Sequence, residues 1–477
     1  GARPWMDATK TVDERTSLLV AQMTVEEKVA QMLGDGEGEP GTLKRYERTG
    51  VGSTGMQIAT LEDLAQQNAL QAAMINSSRL GIPVDFTAET LHSGGHPGCT
   101  VFPMPAGQGA SWNRTLVHAI AASNALQARA SGTNHGLSPV INVATDPRFG
   151  RFQEAFGEDP FIVGTMAAAA VRGLQGDDGA GGPGSYLGSP GERIIAQAKH
   201  FFAYDYGGRD GAGALLDERS LAEVYGRPWQ RAIAEAGLRG AMASHNAVNR
   251  EPMHGSRRWL TTYLREELGF GNGYIGADSH NILALFSAQK VVPSIEAAAA
   301  LAVTAGLDQD LNTMVGTPFL TLVNQSKTPA LSAAIDRAAG NVLRLKFAAG
   351  LFDQPRANTS RWGARDSPAA RELAREAAEQ SVVLLINRPV DGQKALPLDR
   401  AAVKRIAVIG PNGDQKDNTL GDCERSNGRP QPISPRLTPT VAANRQPERG
   451  KEREGVAGRK QNSGDRAWWA AGLRRAA

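Results

Sequence analysis

Five short apolar runs in this sequence end in polar, titratable side chains. Glu89 and His92 follow the run 82–86, Asp146 and Arg151 follow 139–143, Lys199 and His200 close 194–198, His245 and Asn246 close 240–244, and Asp278 follows 273–276. Any one of these alone reads as a solvated loop residue or a satisfied structural partner. Brought to one mouth, they supply carboxylates, cations or imidazoles and an amide, a set of donors and acceptors able to hold many hydroxyl groups, as carbohydrate requires. Within such a set an ionised Asp is a nucleophile towards an electrophilic carbon. Arg and Lys beside it donate to vicinal hydroxyls and lower the pKa of neighbouring carboxylates. His92, His96 and Cys99 are spaced as no common zinc pattern, so no metal and no cofactor is expected.

The elements that must position these residues alternate in kind. Apolar run 82–86 is followed by an amphipathic stretch 116–130, run 139–143 by 161–174, and run 194–198 by 221–236, with 240–244, 274–276 and 297–305 continuing the series. Strand then helix over about 300 residues predicts a parallel sheet, and the number of repeats suits a (β/α)8-type barrel, whose chemistry gathers at the carboxyl ends of its strands. Ahead of it, Val12, Leu18, Leu19, Met23, Val29 and Met32 recur at near-helical spacing, interrupted by Thr24 with Glu27 three residues on. That predicts a helix pair with a capping box between. The Gly-rich stretch 176–191 reads as a surface insertion. A helix over 331–349 precedes 353–367, which has no periodicity. A second α/β unit then begins with a helix over 369–379, strands at 382–386 and 406–409, and a turn at 410–413. The expected division is a barrel over 1–355, a linker over 356–370, the start of a second α/β sandwich domain over 371–422 and a tail over 423–477.

The chain has 477 residues, 41% hydrophobic and 21% charged, with 52 basic and 49 acidic side chains for a formal net charge of +3. That balance favours neither nucleic acid nor a membrane surface as partner, and no run approaches the roughly 18 apolar residues of a membrane span. Two cysteines, Cys99 and Cys423, fall far below the density of a disulfide framework. From Cys423 onward ten Arg and two Lys face five acidic residues without apolar alternation, so the tail is expected to be disordered.

Several segments together resemble glycoside hydrolase family 3, over roughly residues 4 to 422. They are TVDERTSLLVAQMTVEEKVAQM (11–32), CTVFPMPAGQGASWN (99–113), SPVINVATDPRFGRFQEAFGEDP (138–160), AKHFFAY (198–204), DERSLAEVYGRPW (217–229) and GYIGADSHNI (273–282). The resemblance implies a retaining exo-β-glycosidase that removes terminal non-reducing β-linked glucose. Asp278 matches its catalytic nucleophile, Arg151, Lys199 and His200 match its sugar-binding residues, and Glu89 stands at the acidic position that holds sugar hydroxyls. The expected partner is a small-molecule or oligosaccharide substrate. The expected location is secreted or periplasmic, although the first residues show no signal peptide.

Departures from the family pattern are Thr145, Phe149 and His245, where many members carry Arg, Trp and Tyr. His245 stands where a phenol normally supports the nucleophile; an imidazole still donates one hydrogen bond there but is sensitive to pH. The general acid of a retaining mechanism, about 5 to 5.5 Å from the nucleophile, is in this family a Glu on the second domain. Glu448, Glu452 and Glu454 lie in the Arg/Pro-rich tail and are not nominated; a reading-frame change or a mis-spliced end after Gly421-Asp422 is the expectation there. A branch with a histidine acid/base reads Lys-His-Phe-Pro-Gly-His-Gly, which KHFFAYDYGGRDGAG does not match. Two alternatives accompany the glucosidase reading: a β-xylosidase/arabinosidase, favoured by Glu89 in place of a shorter Asp, and an inactive sugar-binding relative lacking the acid.

Overall fold

The computed structural model describes residues 3–35, 46–177, 185–187, 191–204, 213–311, 318–409 and 420. Eight parallel strands carry the architecture: β1 Leu33–Asp35, β2 Ser53–Gly55, β3 Asp85–Ala88, β4 His135–Gly136, β5 Ile195–Phe201, β6 Gly240–Ala243, β7 Tyr274–Gly276 and β8 Asp310–Leu311. They pair in chain order, with β8 beside β1, and a parallel bridge from Gly276 to Gln309 joins β7 to β8. Helices Leu61–Ser77, Arg114–Ala130, Pro160–Gln175, Gly226–Ala236, Ile295–Ala305 and Pro329–Ala348 form the outer layer. The fold is a (β/α)8 barrel. Every residue of β5 is buried, as a strand covered on both faces must be.

The expected capping box forms at the second of two amino-terminal helices, Val25–Gln31, where Thr24 accepts the Glu27 N–H and Glu27 accepts the Thr24 N–H. Thr11 and Glu14 cap the first, Val12–Val20, in the same way. This pair closes the barrel floor with Pro329–Ala348, through a cluster that includes Trp5, Leu19, Leu343 and Phe347. Lys346 is buried there and donates to Gln31 Oε1 (2.6 Å), Pro83 O (2.8 Å) and Val51 O (3.1 Å). Burial pushes its pKa down to about 7, against the pull of Asp85.

Strands β1, β2 and β8 have no apolar signature, because two or three residues with Gly and Ser among them cannot show a period. Gly52, just before β2, explains one of them: a Cβ there would stand 2.0 Å from the Gln31 carbonyl, so only glycine lets the backbones meet. The run 139–143 differs from expectation. Pro139 lacks an N–H; β4 is His135–Gly136, and beyond it only a bridge from Val140 to Lys199 continues the pairing.

Strand β7 is fixed from outside the barrel. Asp308 Oδ2 accepts the Ile275 N–H (2.8 Å) and an Arg265 N–H (2.7 Å), and Oδ1 accepts from Asn341 (3.1 Å). From inside, Gln309 Oε1 accepts from Tyr274 (2.7 Å) and Ser53 (2.8 Å). The alternation of the two residues that lead into β8, Asp308 and Gln309, thus grips both faces of the joint.

The chain divides into two units, Gly1–Pro397 with Ile409–Ile433, and Leu398–Val408 with Ser434–Ala477. In the first, the helix expected over 369–379 runs Pro368–Gln380, and the unpatterned stretch before it contains a 3-10 helix, Thr359–Asp366. The strands expected at 382–386 and 406–409 are not formed: Val382–Ile386 are 58–87% exposed, and among the described residues neither run has a neighbouring strand, without which extended backbone is only solvated. Among the described residues of the second unit, Ala402 and Val403 N–H groups turn back onto the Asp399 carbonyl. The expected turn at 410–413, the tail 423–477 and most of the insertion 176–191 lie outside the described residues.

Candidate active site

The loop after β7 carries Asp278 into the carboxyl end of the barrel, 8% exposed. Its Oδ1 accepts the N–H of Ser279 (2.7 Å). Its Oδ2 is buried without an aligned hydrogen bond; His245 Nε2 is 2.8 Å away, so this oxygen is held by the charge of that ring more than by a directed bond, and His200 Nε2 stands 3.8 Å off. Burial alone would raise the carboxyl pKa, but the adjacent His245, with Lys199 farther off, outweighs it and holds Asp278 far below the usual range. It is ionised at any working pH. Its main-chain N–H donates to His254 Nε2 (3.0 Å).

His245 opens the loop after β6. The Asn281 amide, which donates to the Ser279 carbonyl (2.9 Å), also meets His245 Nδ1, leaving the ring proton on Nε2, towards Asp278. Burial would lower the pKa of this imidazole, yet the adjacent Asp278 raises it above its ordinary value.

His200 is held by Asn142, whose Nδ2 donates to the His200 carbonyl (3.0 Å) while its Oδ1 accepts the His200 main-chain N–H (3.2 Å) and lies 3.1 Å from Nδ1. That orientation of the amide leaves Oδ1 as the only match for Nδ1–H. Burial, reinforced by the Arg151 charge, keeps the ring neutral, well below its usual pKa, despite Asp278. Nε2 is therefore a bare acceptor. Lys199, 3% exposed, donates to both oxygens of Glu89 (2.7 and 2.6 Å). Arg151 pairs through two nitrogens with Glu154 (2.9 and 2.7 Å). Tyr204 is the aromatic hub, with ring centroids 5.1 Å from His200, 5.6 Å from His245 and 5.3 Å from Phe149, and the Arg151 guanidinium 6.0 Å away.

These groups bound a cavity of about 330 Å³: Glu89, Arg151, Glu154, Lys199, His200 and Asp278 on its polar side, Leu137, Met242 and Leu311 on its apolar side. It sits near the lower end of the roughly 300–1,000 Å³ of small-molecule sites, room for one sugar ring. A larger depression of about 480 Å³ lies on the outer wall beside Phe161 and Arg231, where Arg231 is spent on Glu235 one turn away (2.7 Å).

Of the residues singled out in the sequence, Glu89, Arg151, Lys199, His200 and Asp278 meet at this cavity, and His245 reaches it through Asp278. Asp146 does not; it binds Arg148 within its own loop (2.5 Å). His92 is buried with Nδ1 against the Phe102 carbonyl (2.8 Å). Asn246 ties two loops together, donating to the Ala203 and Phe202 carbonyls (3.1 and 3.4 Å). Residues the sequence did not single out are Asn142, Glu154, Tyr204, His254 and Asn281. Glu154 follows Arg151 by one helical turn, a usable signal. His254 gives none, lying in a 3-10 helix of three residues, Met253–Gly255, with no apolar run before it. Among the described residues no group of three or more His, Cys, Asp or Glu is arranged to hold a metal ion.

Residues 24–348 match the profile described as the glycosyl hydrolase family 3 N terminal domain. The chain belongs to glycoside hydrolase family 3. Among its family 3 relatives, a β-xylosidase of Formosa agariphila is 32% identical over 86% of this chain and 52% of the relative. A periplasmic β-glucosidase of Salmonella typhimurium is 29% identical over 84% of this chain and 51% of the relative. Among solved structures, a β-glucosidase of Erythrobacter marinus superposes with a TM-score of 0.76 at 30% identity, over 85% of this chain and 54% of that one. The β-glucosidase of Listeria innocua, solved in complex with glucose, gives 0.69 at 29%, over 79% and 52%. This family 3 chain therefore spans about half the length of the relatives it matches.

Proposed function

We propose that this barrel is the glycone-binding and nucleophilic half of a retaining exo-β-glycosidase. The observation that carries the reading is Asp278 Oδ2, ionised, buried and without an aligned hydrogen bond, at a cavity the size of one sugar ring. His245 backs this oxygen on one side at 2.8 Å, and an ionised carboxylate oxygen still has a lone pair to offer an anomeric carbon. Attack forms the Asp278–C1 bond and breaks the bond to the leaving oxygen, and water then cleaves the glycosyl ester. Lys199 and Arg151 donate to ring hydroxyls, and the bare His200 Nε2 accepts from one.

The glycone is a terminal β-linked glucose or xylose. The glucoside reading draws on solved relatives titled β-glucosidases, the xyloside reading on relatives named β-xylosidases. Glu89 favours xylose, because a carboxylate one methylene longer than Asp projects into space that a C5 hydroxymethyl would need. The experiment is kcat/KM on paired p-nitrophenyl glucoside and xyloside, for the wild type and Glu89→Asp. Shortening the side chain is expected to move the ratio towards glucoside by tenfold or more, the scale of one buried methylene-sized fit. An unchanged ratio removes Glu89 from the choice of sugar; no turnover or trapping with either would leave the sugar-binding relative without catalysis.

A further inference from the structure

In a parallel sheet successive residues of one strand address alternate neighbours. Past the end of β7 the Ala277 N–H still reaches β8, donating to the Gln309 carbonyl (2.8 Å). The next N–H, that of Asp278, is turned towards β6, but β6 has ended at Ala243. His254 stands in that gap. It is 2% exposed, and its Nε2 accepts the Asp278 N–H (3.0 Å). The ring also faces the main chain of Ser244, the residue after β6, which acts to raise its pKa. The imidazole thus replaces a missing rung of the ladder at the residue that faces the cavity.

We propose that His254 is a positioning residue for Asp278, bridging β6 to β7 so that the attacking carboxylate is presented at a fixed height above the barrel. This rests on Asp278 acting as the nucleophile. The bridge works with one proton arrangement only. Nε2 must be bare to accept an N–H, so the ring proton belongs on Nδ1, and an imidazolium would set two N–H groups against each other. Burial supports this by holding the ring neutral, with a pKa lowered to about 3, although Asp278 pulls the other way and His245 adds to the lowering. The ring has no contact with the cavity; its action is through the backbone of its neighbour.

Two variants test it. Gln can accept the Asp278 N–H through its side-chain oxygen and turn its nitrogen towards the main chain of Ser244; Leu fills similar space and does neither. The readout is the first-order rate of covalent trapping by an activated 2-deoxy-2-fluoro glycoside, beside the dissociation constant of the free monosaccharide. His254→Leu is expected to slow trapping at least tenfold with sugar affinity within threefold of wild type, and His254→Gln to recover most of the loss. Trapping of the Leu variant at the wild-type rate, or a Gln variant no better than Leu, overturns the proposal. Wild type that is never labelled at Asp278 would instead overturn the nucleophile assignment on which this rests. If the Leu variant does not fold, nitrogen chemical shifts of His254 in the wild-type chain decide: a neutral Nδ1–H form from pH 8 to pH 5 supports the bridge, and titration near pH 6.5 contradicts it.

Discussion

Nε2 of His245 lies 2.8 Å from Oδ2 of Asp278, while the other nitrogen of the same ring meets the Asn281 amide. The pair couples the charge of one to the proton of the other, and their shifts run in opposite directions: Asp278 lowered, His245 raised. For His245 a raised folded-state pKa means a contribution to stability fully present below its unfolded value of about 6.5, and lost as pH rises through the raised value. Thermal melts from pH 5 to 9 are therefore expected to show a loss of stability as pH rises past about 6.5 in the wild type that is absent in His245→Gln. Identical pH profiles would show that the ring does not titrate against Asp278. Asp278 acts at the other end, since its lowered pKa stabilises the fold above about pH 3.9 and the contribution is lost only in strong acid.

Lys199 holds both oxygens of Glu89 at the cavity, and His200 presents a bare nitrogen. Lys199→Ala is expected to weaken monosaccharide binding about tenfold, the lower end of the roughly 1.5–3 kcal/mol of hydrogen bonds to charged groups, and His200→Ala severalfold, on the roughly 0.5–1.5 kcal/mol scale of a neutral bond. Calorimetric titration measures it. A large fall in melting temperature with unchanged affinity would assign these residues to the fold instead.

The joint between β7 and β8 is a separate matter of stability. Asp308 is fully buried and neutralises Arg265 while holding the Ile275 N–H. Asp308→Ala leaves the Arg265 charge without its carboxylate and is expected to cost about 3–5 kcal/mol in denaturant unfolding, as breaking a buried pair does. A loss under 1 kcal/mol would mean that the carbonyls of Gly271, Gly273 and Gly306, which also accept from Arg265, satisfy it unaided.

Much of this was legible in the sequence. Strands of ordinary apolar pattern, such as Tyr274–Gly276, and the polar residues at their ends were read directly, because in a barrel the end of a strand is also the edge of the pocket. Strands of two or three residues were not, since Gly34, Ser53 and Asp310 carry no period. The residues around the candidate site that escaped, Asn142, His254 and Asn281, act on the backbone or on another ring; nothing in their types distinguishes them from loop residues until the chain is folded. Val382–Ile386 misled in the other direction, because strand propensity alone cannot supply a pairing partner.

Among the described residues, each remaining carboxylate at the cavity is engaged by a cation, Glu89 by Lys199 and Glu154 by Arg151, so neither is placed to give up a proton to a leaving group. This 477-residue chain is therefore expected to react with dinitrophenyl glycosides, whose leaving group needs no proton, and to leave cellobiose and xylobiose intact. Azide, which needs no base, is expected to raise turnover and yield a β-glycosyl azide. Efficient disaccharide cleavage by this chain would show that another carboxyl supplies the proton.

The measurement closest to the central claim is the site of covalent labelling by a 2-deoxy-2-fluoro β-glycoside. The reagent stalls the glycosyl-enzyme, so peptide mapping is expected to find the sugar on Asp278 alone, with no labelling of Asp278→Ala. A label on Glu89, Glu154 or any other carboxylate, or undiminished labelling of the alanine variant, would contradict it.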